Sequence, residues 1–121
     1  MKRGNIVQEK SYAFALLVVR MYQHLTEQRK EFVLSKQVLR SGTSIGANVE
    51  EAVGGQTGRD FVARMTIAYK EARETHYWLR LLRDAGYLSE TESVSILTDC
   101  EELLRLTASI IKTMKRGRQN S

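Results

Sequence analysis

The sequence predicts an all-α fold, in which one domain over residues 1–121 forms an antiparallel up-down-up-down bundle of four helices. Three observations lead to this prediction. The chain contains no proline, the residue that most strongly interrupts a helix. Apolar residues recur at alternating steps of four and three, which is the period of one helical face and not of a strand. The connections between the resulting segments are short, and short connections place consecutive helices antiparallel.

The first helix is predicted near residues 6–29. Apolar residues at helical spacing form its expected core face: Phe14, Leu17, Met21 and either His24 or Leu25. The stretch 12–19 is apolar on every side, although a helix in an isolated bundle buries only one face. We therefore expect Leu16 and Val19 to contact a second copy of the chain.

The second helix is predicted near residues 36–53, with Ser35 as its N-cap. Its core face is the weakest of the four: Val38, Gly42, Ile45, Val49 and Ala52. Each glycine inside a helix costs about 1 kcal/mol relative to alanine, so Gly42 and Gly46 require an offsetting contact. Because they share a face, we expect them to let another helix approach closely, with Asn48 in the same packing contact. A phosphate-binding loop is the alternative, but no Gly-Lys-Ser or Gly-Lys-Thr ending follows.

The third helix is predicted near residues 58–85. A weak capping box from Thr57 to Asp60 marks its start, and Gly86 is placed for a left-handed C-terminal cap. Its core face has the clearest period: Phe61, Met65, Ala68, Ala72, Thr75, Leu79 and Leu82. Large apolar residues also lie outside this face: Tyr69, Tyr77, Trp78 and Leu81. We expect Tyr77 and Trp78 at a subunit interface, the alternative being one unusually thick core.

The fourth helix is predicted near residues 90–116, followed by a basic tail over 115–121. Ser89 and Glu92 fit a capping box at its start. Its core face repeats the same period: Ile96, Cys100, Leu103, Thr107, Ile110 and Met114.

The sequence predicts no metal, no cofactor and no catalytic residue. The side chains that could hold a metal inside the bundle are Glu71, Glu74, His76 and His24. The Glu-x-x-His motif of di-iron bundles is missing, because Arg73 and Met21 occupy the position three before each histidine. Glu71 and Glu74 are therefore expected to pair with nearby Arg or Lys residues or with Asn48. No nucleophile has a recognisable catalytic companion, so we expect no enzymatic activity.

The expected location is the cytoplasm, without a membrane partner. Cys100, the one cysteine, cannot form an internal disulfide and is expected to be a core residue. The apolar stretch 12–19 is too short to span a bilayer, and no signal-peptide cleavage site follows it.

Positive charge is concentrated at one end of the predicted bundle. With alternating helix directions, the start of the chain, the connection at Gly54 and Gly55 and the end of the chain meet there. The whole formal net charge of +5 is expected at this end. Lys10 is one of the cations counted there. Clustered Lys and Arg bind nucleic-acid phosphates. The expected contacts are Arg3, Arg59, Arg64, Lys112, Lys115, Arg116 and Arg118. The alternative is that the cations of the fourth helix offset its dipole and keep the protein soluble.

Residues 34–52 and 60–61, with the block AYKEARETHYWL at 68–79, resemble the bacterial four-helix-bundle proteins encoded in intervening sequences of 23S ribosomal RNA genes. The resemblance covers almost the entire chain. It implies a homopentameric barrel with a positive surface and no catalytic residues. Similar proteins include the accessory variability proteins of diversity-generating retroelements, for which nucleic acid and a reverse transcriptase are the implied partners. Residues 40–48, Glu71, Glu74 and Trp78 are then fold and assembly determinants.

Three functional hypotheses follow. The first is a non-enzymatic homo-oligomer, a pentamer by the resemblance, that binds structured RNA through phosphate contacts. The second is an oligomeric scaffold for a protein partner such as a reverse transcriptase, without direct RNA contact. The third is a small-molecule or metal-binding bundle that uses Glu71, Glu74 and His76.

Overall fold

The computed structural model describes the backbone of residues 2–119 and the side chains of residues 6–117. Its helices are α1 (Lys2–Glu27), α2 (Leu34–Val53), α3 (Gly58–Asp84) and α4 (Glu90–Gln119). The described residues contain no strand, which confirms the all-α prediction. Residues 115–119 of the predicted tail are helical, and residues 120 and 121 lie outside the described part.

The four helices form a bundle in which each helix contacts the next and α4 also contacts α1. No helix in the described part is long and apolar enough to cross a membrane. The predicted core faces of α2 and α3 are fully buried, and that of α4 is buried except for the half-buried Met114. Periodicity therefore identified three of the four faces.

The predicted core face of α1 is partly wrong. Phe14 and Leu25 are buried, but Leu17 is 38% exposed and His24 is exposed. The remaining buried residues of this face are Val7, Ser11 and Val18. The stretch 12–19 is apolar all round, so its period gives no direction, and contact with α2 decides which side is buried.

Glu31, and not Ser35, caps the start of α2. The Glu31 carboxylate accepts hydrogen bonds from the backbone N–H groups of Val33 and Leu34 at 3.1 Å each. It also accepts one from the N–H of Ser35 at 2.7 Å. Burial of Glu31 favours its neutral form, but the hydrogen bonds from these three N–H groups outweigh burial and lower its pKa. The cap is a carboxylate three residues upstream of the helix, so the prediction of Ser35 as the N-cap is wrong.

The other predicted caps are confirmed. The Thr57 hydroxyl accepts a hydrogen bond from the N–H of Asp60 at 3.0 Å. Ser89 and Glu92 form a reciprocal box, in which each side chain accepts from the other's N–H, at 3.0 and 3.1 Å. Gly86 has φ +85°, the left-handed conformation that ends α3.

Side-chain contacts connect the helix ends. The Arg29 guanidinium donates to the carbonyls of Gly86 at 3.0 Å and Tyr87 at 3.1 Å, which joins the α1–α2 connection to the α3–α4 connection. Elsewhere, Gln8 of α1 donates to the carboxylate of Glu50 near the end of α2 at 3.1 Å. Together these contacts tie the start and the end of α1 to different parts of the bundle.

The glycines of α2 lie against α1. A Cβ at Gly46 would lie 3.3 Å from the carbonyl oxygen of Ser11, and a Cβ at Gly42 would meet Val18. The amide of Asn48 donates to the carbonyl and hydroxyl oxygens of Ser44 at 2.9 and 3.0 Å, so its hydrogen bonds stay within α2.

Candidate nucleic-acid interface

Five of the predicted phosphate-binding residues have described side chains, and all five are exposed: Arg59, Arg64, Lys112, Lys115 and Arg116. Within the described part of the chain, none of the five forms an ion pair. The side chains of Arg3 and Arg118 lie outside the described residues. Cations without an ion-pair partner keep their charge available to a ligand.

Lys112 and Lys115 line a groove of about 360 Å³ between α3 and α4, which we call the α3–α4 groove. Its other lining residues are uncharged: Thr66, Tyr69, Ala108 and Ile111. The two lysines are three residues apart in α4 and therefore share a helical face. Positive charge in this groove is thus placed beside an aromatic and aliphatic surface.

Arg64 lies in a different groove. Its neighbours there include Glu51 and Asp60, in a groove that Gly54 and Gly55 also line. Arg64 and Tyr69 are five residues apart in α3, which at 3.6 residues per turn puts them on different sides of the helix. The structure therefore separates Arg64 from Lys112 and Lys115 and places it among acids.

The unpaired positive charge at the basic end of the bundle is also smaller than the net charge of +5 that was assigned to it from the sequence. Lys10, which that net charge includes, pairs with the carboxylate of Glu102 at 3.2 Å. Glu102 lies on α4, outside the segments from which the count was taken. Lys10, which was counted toward the charge of this end, is therefore engaged in an ion pair within the chain.

Compensation of the helix dipole does not account for all the cations. The dipole acts within the last turn, and α4 continues to Gln119, so Lys112 lies almost two turns before its end. Arg59 lies in the first turn of α3, where a positive charge is unfavourable. Helix stability therefore explains neither residue.

Glu71 and Glu74 pair with an arginine, as predicted, and not with Asn48. Arg40 of α2 donates from Nη1 to Glu71 at 3.3 Å and from Nη2 to Glu74. The indole N–H of Trp78 donates to the same Glu74 carboxylate at 2.9 Å. These contacts join α2 to α3. Arg40 lies in the motif at residues 40–48, and its pairing with these two glutamates was not predicted from the sequence.

The third hypothesis gains no support from the geometry of the acids and histidines. His76 lies 2.9 Å from the carboxylate of Glu101 and not beside Glu71 or Glu74. In the described part of the chain, no group of three His, Cys, Asp or Glu residues could hold a metal ion.

Cys100 is a buried core residue, as predicted. Its Sγ lies 3.4 Å from the carbonyl oxygen of Ala72. Burial raises the pKa of the thiol to about 12, and the negative charge of Glu101 adds to the increase. At neutral pH the sulfur is protonated, so it is a poor nucleophile.

The predicted interface residues lie on two helices, α1 and α3, whose backbones are not neighbours in the bundle. Leu16 is 41% exposed and Val19 is half-buried on α1, whereas Tyr77 is 48% exposed and Trp78 is half-buried on α3. In the described part of the chain the backbone of α1 lies near α2 and α4 but not near α3. The four residues therefore form two separate surfaces on one chain.

Tyr69 is one of the large apolar residues outside the core face of α3. It is half-buried but is not part of the core or packed against it, and it forms no hydrogen bond with a described residue. It lines the α3–α4 groove instead. The sequence shows that Tyr69 lies outside the seven-residue core pattern of α3. It does not show that Lys112 and Lys115 line the same groove.

Comparisons with known proteins agree with this architecture. The family model for the 23S rRNA-intervening sequence protein matches residues 3–109, a range that ends before Lys112. A solved crystal structure of a protein of unknown function from the S23 ribosomal protein family of Bacteroides thetaiotaomicron VPI-5482 superposes with a TM-score of 0.89. It is 48% identical and covers 91% of this chain and 98% of its own. None of the curated proteins matches the chain. The chain belongs to the 23S rRNA-intervening sequence protein family.

Proposed function

We propose that this chain is a non-enzymatic, homo-oligomeric protein that binds RNA through phosphate contacts. Lys112 and Lys115 carry the proposal, because both are exposed, both line one groove and neither forms an ion pair with a described residue. Lysines that neutralise phosphates release condensed counterions, which gives affinity without base reading. Arg59 and Arg116 add exposed positive charge. A lone, buried cysteine is in keeping with a cytoplasmic location.

An antiparallel up-down-up-down order belongs to the proposal. Its support is the order of contacts: Gly42 lies against Val18 while Gly46 lies against Ser11, so rising numbers in α2 meet falling numbers in α1. Between α3 and α4, Ala72 contacts Cys100 and Gly58 lies near Met114. This order brings the end of α4 to the α2–α3 connection.

Self-assembly is the second part of the proposal, with five copies by family resemblance. Its support is the apolar outer surface of α1, where Tyr12 is 70% exposed and Leu16 is 41% exposed. Several copies would present several cationic grooves to one RNA. Weak phosphate contacts made in parallel add to a useful overall affinity.

Charge reversal with a matched control tests RNA binding. The Lys112→Glu/Lys115→Glu variant should bind a labelled RNA more weakly in fluorescence anisotropy, and the slope of log affinity against log salt should fall by about one per lysine. Lys36→Glu/Arg73→Glu makes the same change in net charge at two exposed positions that, like the two lysines, form no ion pair with a described residue. Equal losses in the two variants, or wild-type binding that does not depend on salt, would contradict phosphate contact by these lysines.

A scaffold for a protein partner, such as a reverse transcriptase, is the second candidate. The exposed apolar residues of α1 favour it, because surfaces of this kind bind proteins. It predicts a complex with the partner that survives Lys112→Glu/Lys115→Glu, together with no retention of RNA by the wild-type protein. Co-purification with and without nuclease separates the two candidates.

A further inference from the structure

We propose that the α3–α4 groove binds an unpaired nucleobase of RNA, stacked on Tyr69, while Lys112 and Lys115 contact the adjoining phosphates. This inference rests on the proposed function and narrows its ligand to single-stranded segments. Three observations carry it: the packing of Tyr69, the aliphatic residues across the groove, and the sign of the charge there.

Tyr69 is an aromatic side chain that forms no ring-stacking or cation–π contact in the described part of the chain. It is half-buried, yet it does not pack against the core cluster and forms no hydrogen bond with a described residue. Trp78, by comparison, packs against the core and donates to Glu74 at 2.9 Å. The difference indicates that Tyr69 is not held in place by the fold in the way Trp78 is.

The groove offers apolar lining residues and enough volume for a planar ring. Tyr69 lines it from α3, and Ala108 and Ile111 line it from α4. Its volume of about 360 Å³ lies within the range of roughly 300–1,000 Å³ found for small-molecule pockets. Single-strand-binding proteins stack bases on aromatic side chains that line a positively charged groove.

The charges of the groove select an anion beside that ring. Its charged lining residues are Lys112 and Lys115, and no acid lines it in the described part of the chain. The groove at Arg64, in contrast, includes Glu51 and Asp60. A nucleotide unit combines a planar base with a phosphate, so it matches both components of the α3–α4 groove.

Base pairing determines which RNA segments can bind in the α3–α4 groove. In a duplex each base is stacked between its neighbours and paired, so its face is not available to a side chain. Loops, bulges and single strands leave base faces free. The inference therefore predicts a preference for single-stranded RNA that phosphate contacts alone would not produce.

Substitutions at Tyr69 test the inference by fluorescence anisotropy with a single-stranded RNA and a duplex of equal length at fixed salt. Tyr69→Leu keeps apolar bulk and removes the aromatic face, and we expect about tenfold weaker binding of the single strand with less than a twofold change for the duplex. Tyr69→Phe keeps the ring and should bind as the wild type does. Circular dichroism and sedimentation should give the wild-type fold and mass for both variants.

The remaining outcomes would each contradict either the stacking site alone or the proposed function as a whole. If Tyr69→Leu binds both RNAs as the wild type does, or weakens both equally, the stacking site is wrong and the phosphate contacts of the proposed function stand. If Tyr69→Leu changes the sedimenting mass, the groove is covered by another copy and the inference fails. If the wild-type protein binds neither RNA, the proposed function fails together with the inference.

Discussion

Val18 of α1 occupies the space that a side chain at position 42 of α2 would need. A Cβ at Gly42 would lie 2.9 Å from both Cγ1 and Cγ2 of Val18, which is fully buried. Glycine costs about 1 kcal/mol relative to alanine inside a helix. The close approach of Val18 explains why glycine is nevertheless found at this position. Val18 makes this contact, and the neighbouring Leu17 is 38% exposed.

Gly42→Ala should destabilise the protein by about 1–3 kcal/mol despite the better helix propensity of alanine, because the added methyl overfills the contact with Val18. Urea unfolding followed by circular dichroism measures the change. In Val18→Ala/Gly42→Ala the clash is gone, so the double variant should lose less than the sum of the two single losses. Strict additivity would mean that the two residues do not compete for space.

Glu31→Ala should lower the free energy of unfolding by about 1 kcal/mol at pH 7, because three N–H groups at the start of α2 lose their acceptor. The folded protein lowers the pKa of Glu31 below its ordinary value of 4.5. The contribution of a carboxylate with a lowered pKa is present above the ordinary value and is lost as the pH falls through the lowered one. The difference between wild type and variant should therefore shrink below about pH 4.5.

Glu27→Ala is the control for this pH dependence, since Glu27 is exposed at the end of α1. Glu27→Ala should have little effect on the free energy of unfolding at pH 7 or at pH 3. A Glu31→Ala difference that stays constant from pH 7 to pH 3 would show that the ionised carboxylate is not the cap.

Cys100 should resist alkylation in the folded protein. Its thiol is buried and its pKa is raised to about 12, so both access and thiolate are lacking at pH 8. Iodoacetamide labelling followed by mass spectrometry should be slow in buffer and fast in denaturing urea. Rapid labelling of the folded protein in buffer would contradict this prediction, because it would mean that the sulfur is accessible at the surface.

Leu16→Glu should reduce the assembly to smaller species, because a charge in the expected subunit contact would be buried without a partner. Sedimentation velocity gives the mass, and circular dichroism checks that the helices persist, since Leu16 is 41% exposed in the single chain. Thr98→Glu, at an exposed position of α4, should leave the mass unchanged. The same mass for Leu16→Glu and wild type would remove Leu16 from the interface.

The family match covers only some of the proposed RNA contacts, since Arg59 and Tyr69 lie within it. The match ends at residue 109, whereas Lys112 and Lys115 lie in the last turns of α4. Membership of the family therefore supports the fold and the motif around Gly42, and the lysines are argued from their own exposure and surroundings.

The sequence by itself determined the all-α class, the core faces of α2, α3 and α4, and the caps at Thr57 and Ser89. These depend on residues within a few positions of one another, so period and spacing reveal them. The core face of α1 was not determined, because 12–19 is apolar on every side and its buried side depends on packing against α2 and α4.

Only the tertiary structure decided where the charges lie. The sequence could assign Arg64 and Lys112 to one end of the bundle, but the rotation of α3 places Arg64 beside Glu51 and Asp60 and turns Tyr69 toward the lysines of α4. Which side chains share a groove depends on how two helices are rotated against each other. That rotation is set by the packing of the whole core, which no local stretch of sequence encodes.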